Sequence, residues 1–172
     1  MKQNLQQIKK AKSGDAEAFA LLYSEIYTDL YRFALYALKN RADAEDAVSE
    51  TVMDAFTSIH KLRRETSFQA WIFQILSTKC KRRFQEKKEM GEALPEELTD
   101  SGNLSGIAEH MDLCNCFFKL KDEERLIISM HIFAGYTSQE IAALLHLNAN
   151  TVRSKESRAL KKLSEWLSEQ KG

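Results

Sequence analysis

Residues 138–163, SQEIAALLHLNANTVRSKESRALKKL, decide the fold of the C-terminal part of this chain. The first eight residues place apolar side chains at helical spacing, at Ile141, Ala142, Leu144 and Leu145. A turn follows at residues 146–148, where Asn148 can cap a second helix by accepting a hydrogen bond from a backbone N–H. Two helices joined by a three- or four-residue turn form a helix-turn-helix, whose second helix fits the DNA major groove.

The second of these helices has the composition of a groove-reading helix. Short polar donors stand near its start and cations follow, at Asn150, Thr151, Arg153, Ser154, Lys155 and Arg158. An ordinary helical hairpin with a solvated basic face is the alternative, because basic faces are common. The pattern favours DNA binding.

Bulk properties limit the class of protein. The chain has 172 residues, of which 44% are hydrophobic, so one medium domain or two small ones can bury a core. No apolar run is long enough to cross a bilayer, and the N-terminus lacks the apolar stretch of a secretory signal. Three cysteines are too few for a disulfide framework, which fits a reducing compartment. We therefore expect a cytoplasmic protein.

Charge is balanced overall but distributed unevenly. Residues 1–90 hold sixteen Lys/Arg and twelve Asp/Glu, and residues 116–172 hold nine against seven. Residues 91–115 hold no Lys/Arg and six Asp/Glu. Because salt screens charges beyond about 10 Å, these local balances matter more for phosphate binding than the net charge of zero.

Helix breakers divide the chain. Residues 15–90 contain neither glycine nor proline, whereas residues 89–109, EMGEALPEELTDSGNLSGIAE, contain the only proline and three of the six glycines. No strand alternation appears. The sequence predicts an all-α fold of two small helical domains, residues 1–90 and 112–172, joined by a flexible acidic linker over residues 91–111.

Three long helices are predicted in the first domain. One starts at an Asp15 cap and runs to about residue 39, a second covers about 43–60, and a third is capped by Thr66 or Ser67. The second helix carries an acidic stripe at Asp43, Asp46, Glu50 and Asp54. The stripe is either a docking face for a basic partner helix or a solvated face, and charge alone favours the solvated face.

Cations and a tryptophan meet where the second predicted helix joins the third. Lys61, Arg63 and Arg64 precede Trp71, and cations interleaved with aromatics suit single-stranded nucleic acid. Trp71 also has core spacing with its apolar neighbours, and that pattern alone favours core packing.

Metal and catalytic chemistry have little support in the sequence. His110 and Cys114 share a predicted helix face, but Cys116 points elsewhere and no fourth ligand is apparent. No phosphate loop, nucleophile elbow or HExxH pair occurs. We expect a protein that is not an enzyme and that needs no cofactor.

Three segments together resemble bacterial sigma factors of the extracytoplasmic-function group of the sigma-70 family. They are DAEDAVSETVMDAF (43–56), SFQAWIFQI (67–75) and LKDEERLIISMHIFAGYTSQEIAALLHLNANTVRSKESRALKKL (120–163). Their order and spacing match the family over roughly residues 8–90 and 112–168. The resemblance implies a protein that binds core RNA polymerase and directs it to promoters, with a first domain for the −10 element and a second for the −35 element.

The resemblance also implies roles for particular residues. By this resemblance, the residues that contact a coiled coil of the largest polymerase subunit are Asp43, Glu45, Asp46 and Glu50. The residues that recognise and melt the −10 element are, by the same resemblance, Lys61, Arg63, Arg64, Thr66, Trp71, Gln74 and Lys79. The residues that recognise the −35 element are those listed above for the second helix of the helix-turn-helix. The family usually has glycine in the helix-turn-helix turn, where φ is often positive, and this chain has His146 there.

The resemblance also implies partners, and two alternative functions stay open. The implied partners are core polymerase, through its coiled coil and flap, promoter DNA, and an anti-sigma factor that is often membrane-bound; no lipid or small-molecule ligand is implied. The alternatives are a stand-alone helix-turn-helix regulator and an anti-sigma-like adaptor that binds zinc through His110, Cys114 and Cys116.

Overall fold

The computed structural model describes residues 5–91 and 108–170, with side chains described over 5–91 and 113–169. The described residues contain helices and no strand, which confirms the all-α prediction. The helices are α1 (Leu5–Lys12), α2 (Ala16–Leu38), α3 (Arg41–Ser58), α4 (Phe68–Met90), α5 (Ala108–Phe118), α6 (Asp122–Ile132), α7 (Ser138–Leu145) and α8 (Ala149–Gln170). Residues 92–107, which include most of the predicted linker, lie outside the described residues.

The first domain is built around α2, which packs against α1, α3 and α4. Asp15 caps α2 as predicted, because its Oδ1 accepts from the Ala18 N–H at 3.0 Å. Leu22, Ile26, Leu30 and Phe33 are buried along one face, and Phe33 meets Phe73 of α4 edge to face. The helix α1 was not predicted from the sequence, although Ile8 and Ala11 have the spacing of a buried face and lie in this core.

Two predicted helix starts differ from the structure. Asn40 caps α3 by accepting from the Asp43 N–H at 2.9 Å, so α3 begins two residues before the predicted start at Asp43. The predicted cap of α4 was wrong, because neither Thr66 nor Ser67 accepts from the first turn of α4. Residues 65–67 form a 3₁₀ turn instead, in which the Ser67 hydroxyl donates to the Arg64 carbonyl.

The second domain is a four-helix unit in which α7 and α8 form the predicted helix-turn-helix. Thr137 and Glu140 form a reciprocal capping box at the start of α7. His146 ends α7 in the left-handed conformation, with φ 55°, where glycine is the usual residue. Asn148 accepts from the Asn150 N–H at 2.8 Å, as predicted for the cap of α8.

The two domains touch at the C-terminal end of α2. Tyr36 packs against Phe117, Phe118 and Phe133, with ring centroids 5.4 to 5.8 Å apart. Two long cations bridge the same junction: Lys39 Nζ donates to the Phe118 carbonyl at 3.1 Å, and buried Arg125 donates to the Ala37 carbonyl at 3.2 Å. These two donors satisfy carbonyls at or near helix ends, where intrahelical partners are missing.

Candidate nucleic-acid interface

A groove of about 520 Å³ lies between the start of α4 and the helix-turn-helix. The first domain lines it with Lys61, Leu62, Arg63, Ser67, Ala70, Trp71 and Gln74. The second domain supplies Tyr136, Glu140, Ala143 and Leu144. Four residues predicted to act at the −10 element, Lys61, Arg63, Trp71 and Gln74, therefore line one cavity.

The groove side of the first domain combines an aromatic face, an amide and two cations. Trp71 is half-buried and packs against Phe68 at 6.1 Å, so the expected core packing holds for only part of the ring. Gln74 is exposed one turn after Trp71, and Lys61 and Arg63 are exposed on the connector before α4. Stacking on an aromatic ring and pairing of cations with phosphates are the two contacts that single-stranded nucleic acid uses.

The other three residues predicted for this role do not line the groove. Arg64 and Thr66 are exposed on the connector, and Lys79 lies two turns beyond Trp71 on α4. The Lys79 ammonium is paired with Asp54 at 2.5 Å and lies 3.7 Å from Glu50. Lys79 therefore has carboxylate partners on α3, which sequence spacing did not reveal.

The carboxylates of α3 divide into two rows. The inward row faces α4: Glu50 accepts from Arg83 at 2.7 Å and from Arg82 at 2.8 Å, and Asp43 pairs with Lys87. The hydrogen bond from Arg83 is the main cause that holds the pKa of Glu50 below its ordinary value. The basic partner helix that the acidic stripe suggested is thus, for this row, α4 of the same chain.

The outward row of α3 faces solvent. Glu45 and Asp46 are exposed and make no ion pair with any other residue that the structure describes. Ser49, Met53 and Phe56 continue the same face, and Met53 and Phe56 keep 70% and 45% of their surface exposed. An anionic end followed by large exposed apolar side chains is a surface suited to a macromolecular partner. The apolar part was missed in the sequence, although its helical spacing was readable.

The recognition helix α8 also has an outward and an inward row. Its exposed face carries Asn150, Arg153, Ser154, Ser157, Arg158 and Lys161. Arg153 donates to the Asn150 side chain at 2.6 Å, and Arg158 donates to the Ser154 carbonyl at 3.1 Å, which orders both guanidinium groups along the helix surface. Thr151 is half-buried at the edge of this face. Ser157 was not among the predicted contacts, although it lies one turn after Arg153.

Two lysines of α8 point toward α6. Lys155 forms an ion pair with Glu123, and Lys162 pairs with Glu124 at 2.7 Å. Burial is the largest single influence and raises the pKa of Glu124, but the hydrogen bonds from Lys162 and from the Lys121 N–H, together with the charges of these two lysines, outweigh it, so the pKa lies below the ordinary glutamate value. Lys155 was predicted to act in −35 recognition, and the structure gives it a carboxylate partner within the domain.

The suggested zinc ligands are only partly described. The side chain of His110 lies outside the described residues. Cys114 Sγ lies 3.3 Å from the Tyr36 hydroxyl, and Cys116 is buried in the second core. Among the residues whose side chains are described, no three His, Cys, Asp or Glu side chains gather as metal ligands do.

Comparisons with known proteins agree with this geometry. The family model for sigma-70 region 2 matches residues 22–89, and the model for sigma-70 region 4 matches residues 116–165. The extracytoplasmic-function RNA polymerase sigma factor SigX of Bacillus subtilis is 25% identical over 165 residues, which cover 86% of this chain and 82% of SigX. The RNA polymerase sigma factor SigV of the same organism is 29% identical over 136 residues, covering 77% and 81%.

A solved structure supports the same fold. The sigma factor RpoE of Bartonella quintana, in complex with the anti-sigma factor NepR, has a TM-score of 0.73 and 21% identity, covering 89% of this chain and 98% of that chain. Two helical domains, of which the first bears a groove lined by cations and Trp71 and the second a helix-turn-helix, fit the class of promoter-recognition proteins. The matched regions, in this order and over most of the chain, place it in the extracytoplasmic-function group of the sigma-70 family, and it is a sigma factor that directs transcription initiation.

One further finding concerns membranes. Over the described residues, none of the helices combines the length and the apolar character needed to span a bilayer.

Proposed function

We propose that this sigma factor docks on core RNA polymerase through the outward row of α3, holds the melted −10 strand in the groove beside Trp71, and reads the −35 duplex with α8. The observation that carries the proposal is the convergence of Lys61, Arg63, Trp71 and Gln74 on one cavity. The polymerase supplies the chemistry, while this chain supplies positioning and strand capture.

Docking uses the carboxylates of α3 that form no ion pair with another residue in the described part of the chain. Glu45 and Asp46 are available to a basic coiled coil of the polymerase, and Met53 and Phe56 supply apolar contact area next to them. Asp43 and Glu50, the other two predicted docking residues, are already paired with α4. We assign them to holding α3 against α4, which fixes the angle at which the outward row is presented.

Strand capture relies on the groove. A base taken out of the duplex loses stacking worth a few kcal/mol, and stacking on Trp71 returns about 1–3 kcal/mol per base. Gln74 can exchange hydrogen bonds with a base edge, and Lys61 and Arg63 can pair with the flanking phosphates. Arg64 and Thr66 are exposed on the same connector, next to the groove residues Arg63 and Ser67, and we assign them to contacts with the strand beside the groove.

Duplex recognition relies on the exposed face of α8. Asn150, Ser154 and Ser157 offer short polar groups for base edges, and Arg153, Arg158 and Lys161 offer cations for bases and phosphates. Thr151 can contact a neighbouring phosphate from the edge of this face. If the domain neutralises about 4–6 phosphates, the logarithm of the binding constant falls with the logarithm of salt with a slope of about −4 to −5.

Each of the three segments of the chain has its own contacts with the promoter or the polymerase. Residues 1–90 act at the −10 element and on the coiled coil, and residues 112–172 act at the −35 element and on the flap. Residues 91–111 carry five carboxylates and no Lys or Arg, which suits passage through basic channels of the polymerase. We place the protein in the cytoplasm, bound by an anti-sigma factor that holds it at the membrane. RpoE, of the same fold, is solved with an anti-sigma factor, which supports the anti-sigma partner.

Run-off transcription tests the proposal. Purified bacterial core polymerase is given genomic DNA fragments of the source organism, with and without this chain. We expect discrete transcripts only when the chain is present. A Trp71→Ala, Gln74→Ala double variant should keep core binding and lose these transcripts, while a Gln69→Ala variant on the same helix should keep both.

The opposite result is equally specific. Binding of the purified chain alone to one duplex, with no transcripts when core polymerase is added, would replace the sigma role by that of a stand-alone regulator.

A further inference from the structure

We infer that α1 is a brace for strand capture, in which the ion pair between Lys12 and Glu65 holds in place the connector that carries Lys61 and Arg63. The connector is the segment between α3 and α4, residues 59–67. The inference deepens the proposed function and rests on the strand-capture role of the groove. Lys12 and Glu65 are positioning residues, because they act through the cations of the connector and do not themselves contact the strand.

The position of α1 gives it access to both ends of the connector. The helix lies outside the part of the chain that the region 2 model matches, which begins at residue 22. Its side chains Ile8 and Ala11 are buried in the core of the first domain. From there α1 packs against α2 and against two 3₁₀ turns of the connector, Ile59–Lys61 and Glu65–Ser67. One helix therefore contacts the first and the last turn of the segment.

An ion pair joins the end of α1 to the second of these turns. Lys12 Nζ donates to Glu65 Oε1 at 3.0 Å, although the two residues are 53 positions apart, and their side chains keep only 22% and 28% of their surface exposed. The hydrogen bond from Lys12 is the main cause that holds the pKa of Glu65 below its ordinary value, so the carboxylate is ionised at neutral pH. Glu65 is the only carboxylate in residues 59–67, so its pairing also leaves the field around the connector positive.

The backbone hydrogen bonds of the connector are local. The Leu62 N–H donates to the Ile59 carbonyl at 3.0 Å, and the Ser67 N–H donates to the Arg64 carbonyl at 3.1 Å. The helix that follows, α4, begins without a side-chain cap. Turns closed over three residues do not fix where a segment lies relative to a neighbouring helix, so tertiary contacts must do so. The packing of α1 on both turns and its ion pair supply such contacts.

Strand capture depends on the distance between the connector and α4. Lys61 and Arg63 of the connector and Trp71 of α4 line the same groove. A base stacked on the ring and the phosphates paired with the cations belong to neighbouring nucleotides, so the spacing of ring and cations must match that of the strand. A segment already held at that spacing loses less conformational entropy when the strand binds. The brace therefore raises the affinity for the strand without contributing a contact of its own.

Three variants of the full chain separate the ion pair from a general change of charge. Lys12→Glu places two carboxylates together, and Lys12→Glu with Glu65→Lys restores opposite charges in the reversed order. Lys10→Glu is the matched control, because it makes the same charge change in the last turn of α1. Lys10 is exposed and forms no ion pair with another residue in the described part of the chain. If Lys12→Glu does not fold, Lys12→Gln against Lys10→Gln replaces the comparison.

Hydrogen–deuterium exchange of the chain alone gives the first test. We expect the amides of residues 59–67 to exchange about threefold faster or more in Lys12→Glu, since the connector then opens more often. Lys10→Glu should stay within about 1.5-fold of the parent chain, and the reversed pair should recover at least about half of the loss. The amides of α2 are the internal reference for global unfolding. Equal exchange of the connector in Lys12→Glu and Lys10→Glu would overturn the inference.

Strand binding by the holoenzyme gives the second test. The probe is a fluorescent DNA strand of about 15 nucleotides, within the length that one strand-binding site covers, with the non-template −10 sequence of a promoter found by run-off transcription. We expect Lys12→Glu to weaken binding about 3- to 5-fold and the reversed pair to return it to within about twofold of the parent. The salt slope should match that of Lys10→Glu within about 0.2, whereas Lys61→Ala should reduce it by about 0.7, the value for one phosphate of a single strand.

The salt slope distinguishes a brace from a direct contact. A slope reduced by Lys12→Glu as much as by Lys61→Ala, with no recovery in the reversed pair, would make Lys12 a phosphate contact and remove the brace. The proposed function is judged separately, because it fails only if the unmodified chain gives no transcripts with core polymerase. Equal transcription and equal strand affinity of the parent and Lys12→Glu holoenzymes would reject the brace and leave the sigma role in place.

Discussion

Helices α3 and α8 carry opposite charge but distribute it in the same way. The charged side chains are acidic on α3 and basic on α8. On each helix, an inward row pairs with side chains of the same domain and an outward row faces solvent. On α3 the inward Glu50 is held by Arg83, while Glu45 faces solvent. On α8 the inward Lys155 is held by Glu123, while Lys161 faces solvent.

We expect the inward charges to contribute to the stability of the fold and the outward charges to contribute to binding. An inward charge has a partner within the chain, so its removal leaves that partner uncompensated and lowers the free energy of unfolding. An outward charge has little effect on stability, because exposed pairs contribute about 0–1 kcal/mol at most. Its removal instead weakens binding to another molecule. The four predictions below test this division.

Charge reversal of the outward row of α3 should have the largest effect. We expect Glu45→Lys with Asp46→Lys to weaken the affinity for core polymerase about 10- to 100-fold, because like charges placed across an interface repel by several kcal/mol. Fluorescence anisotropy of a labelled chain titrated with core polymerase measures the affinity. Glu165→Lys with Glu169→Lys, an equal charge change on the exposed end of α8, is the control and should leave core affinity within about twofold.

Loss of one inward carboxylate should act on stability instead. We expect Glu50→Gln to lower the free energy of unfolding by about 1–3 kcal/mol, because the guanidinium of Arg83, only 9% exposed, loses its charged acceptor. Urea denaturation followed by circular dichroism measures it. Glu45→Gln is the matched control, with a change below about 0.5 kcal/mol. Equal losses in the two variants would remove the distinction between the rows.

The contribution of Glu50 should also depend on pH in one direction. The pKa of Glu50 is lowered in the folded chain, so its contribution is complete above the ordinary value of 4.5 and is lost as the pH falls through the lowered value. We expect the stability gap between the parent chain and Glu50→Gln to be full at about pH 6.5 and to shrink progressively as the pH falls below 4.5. A gap that widens in acid would show that Arg83 is not its cause.

The smallest expected effect compares two lysines of α8. Lys161→Ala should reduce the salt slope of duplex binding by about 0.9, the value for one phosphate contact, whereas Lys155→Ala should change it by less than about half of that. Binding isotherms at several salt concentrations give both slopes. The sequence prediction for −35 recognition included Lys155 and not Lys161, and a larger change for Lys155 than for Lys161 would support that choice.

Much of this arrangement could be predicted from the sequence because its signals are local. Caps such as Asp15 and Asn148 act over two or three residues, and the helix-turn-helix is contained within residues 138–163. The convergence of Lys61, Arg63, Trp71 and Gln74 also follows from a short connector that leads into one helix. The cap of α4 could not be read in the same way, because a 3₁₀ turn at residues 65–67 took the place of a side-chain cap.

The sequence by itself determined the helices, the helix-turn-helix and the sign of the charge on α3 and α8, because each depends on neighbours within one or two helical turns. Only the tertiary structure decided which charges face solvent and which half of the groove the second domain supplies. The ion pairs Glu50–Arg83, Glu123–Lys155 and Glu124–Lys162 join residues 32 to 38 positions apart. Tyr136 and Ala70 are separated by 66. Local periodicity carries no information at those separations, since packing alone brings such residues together.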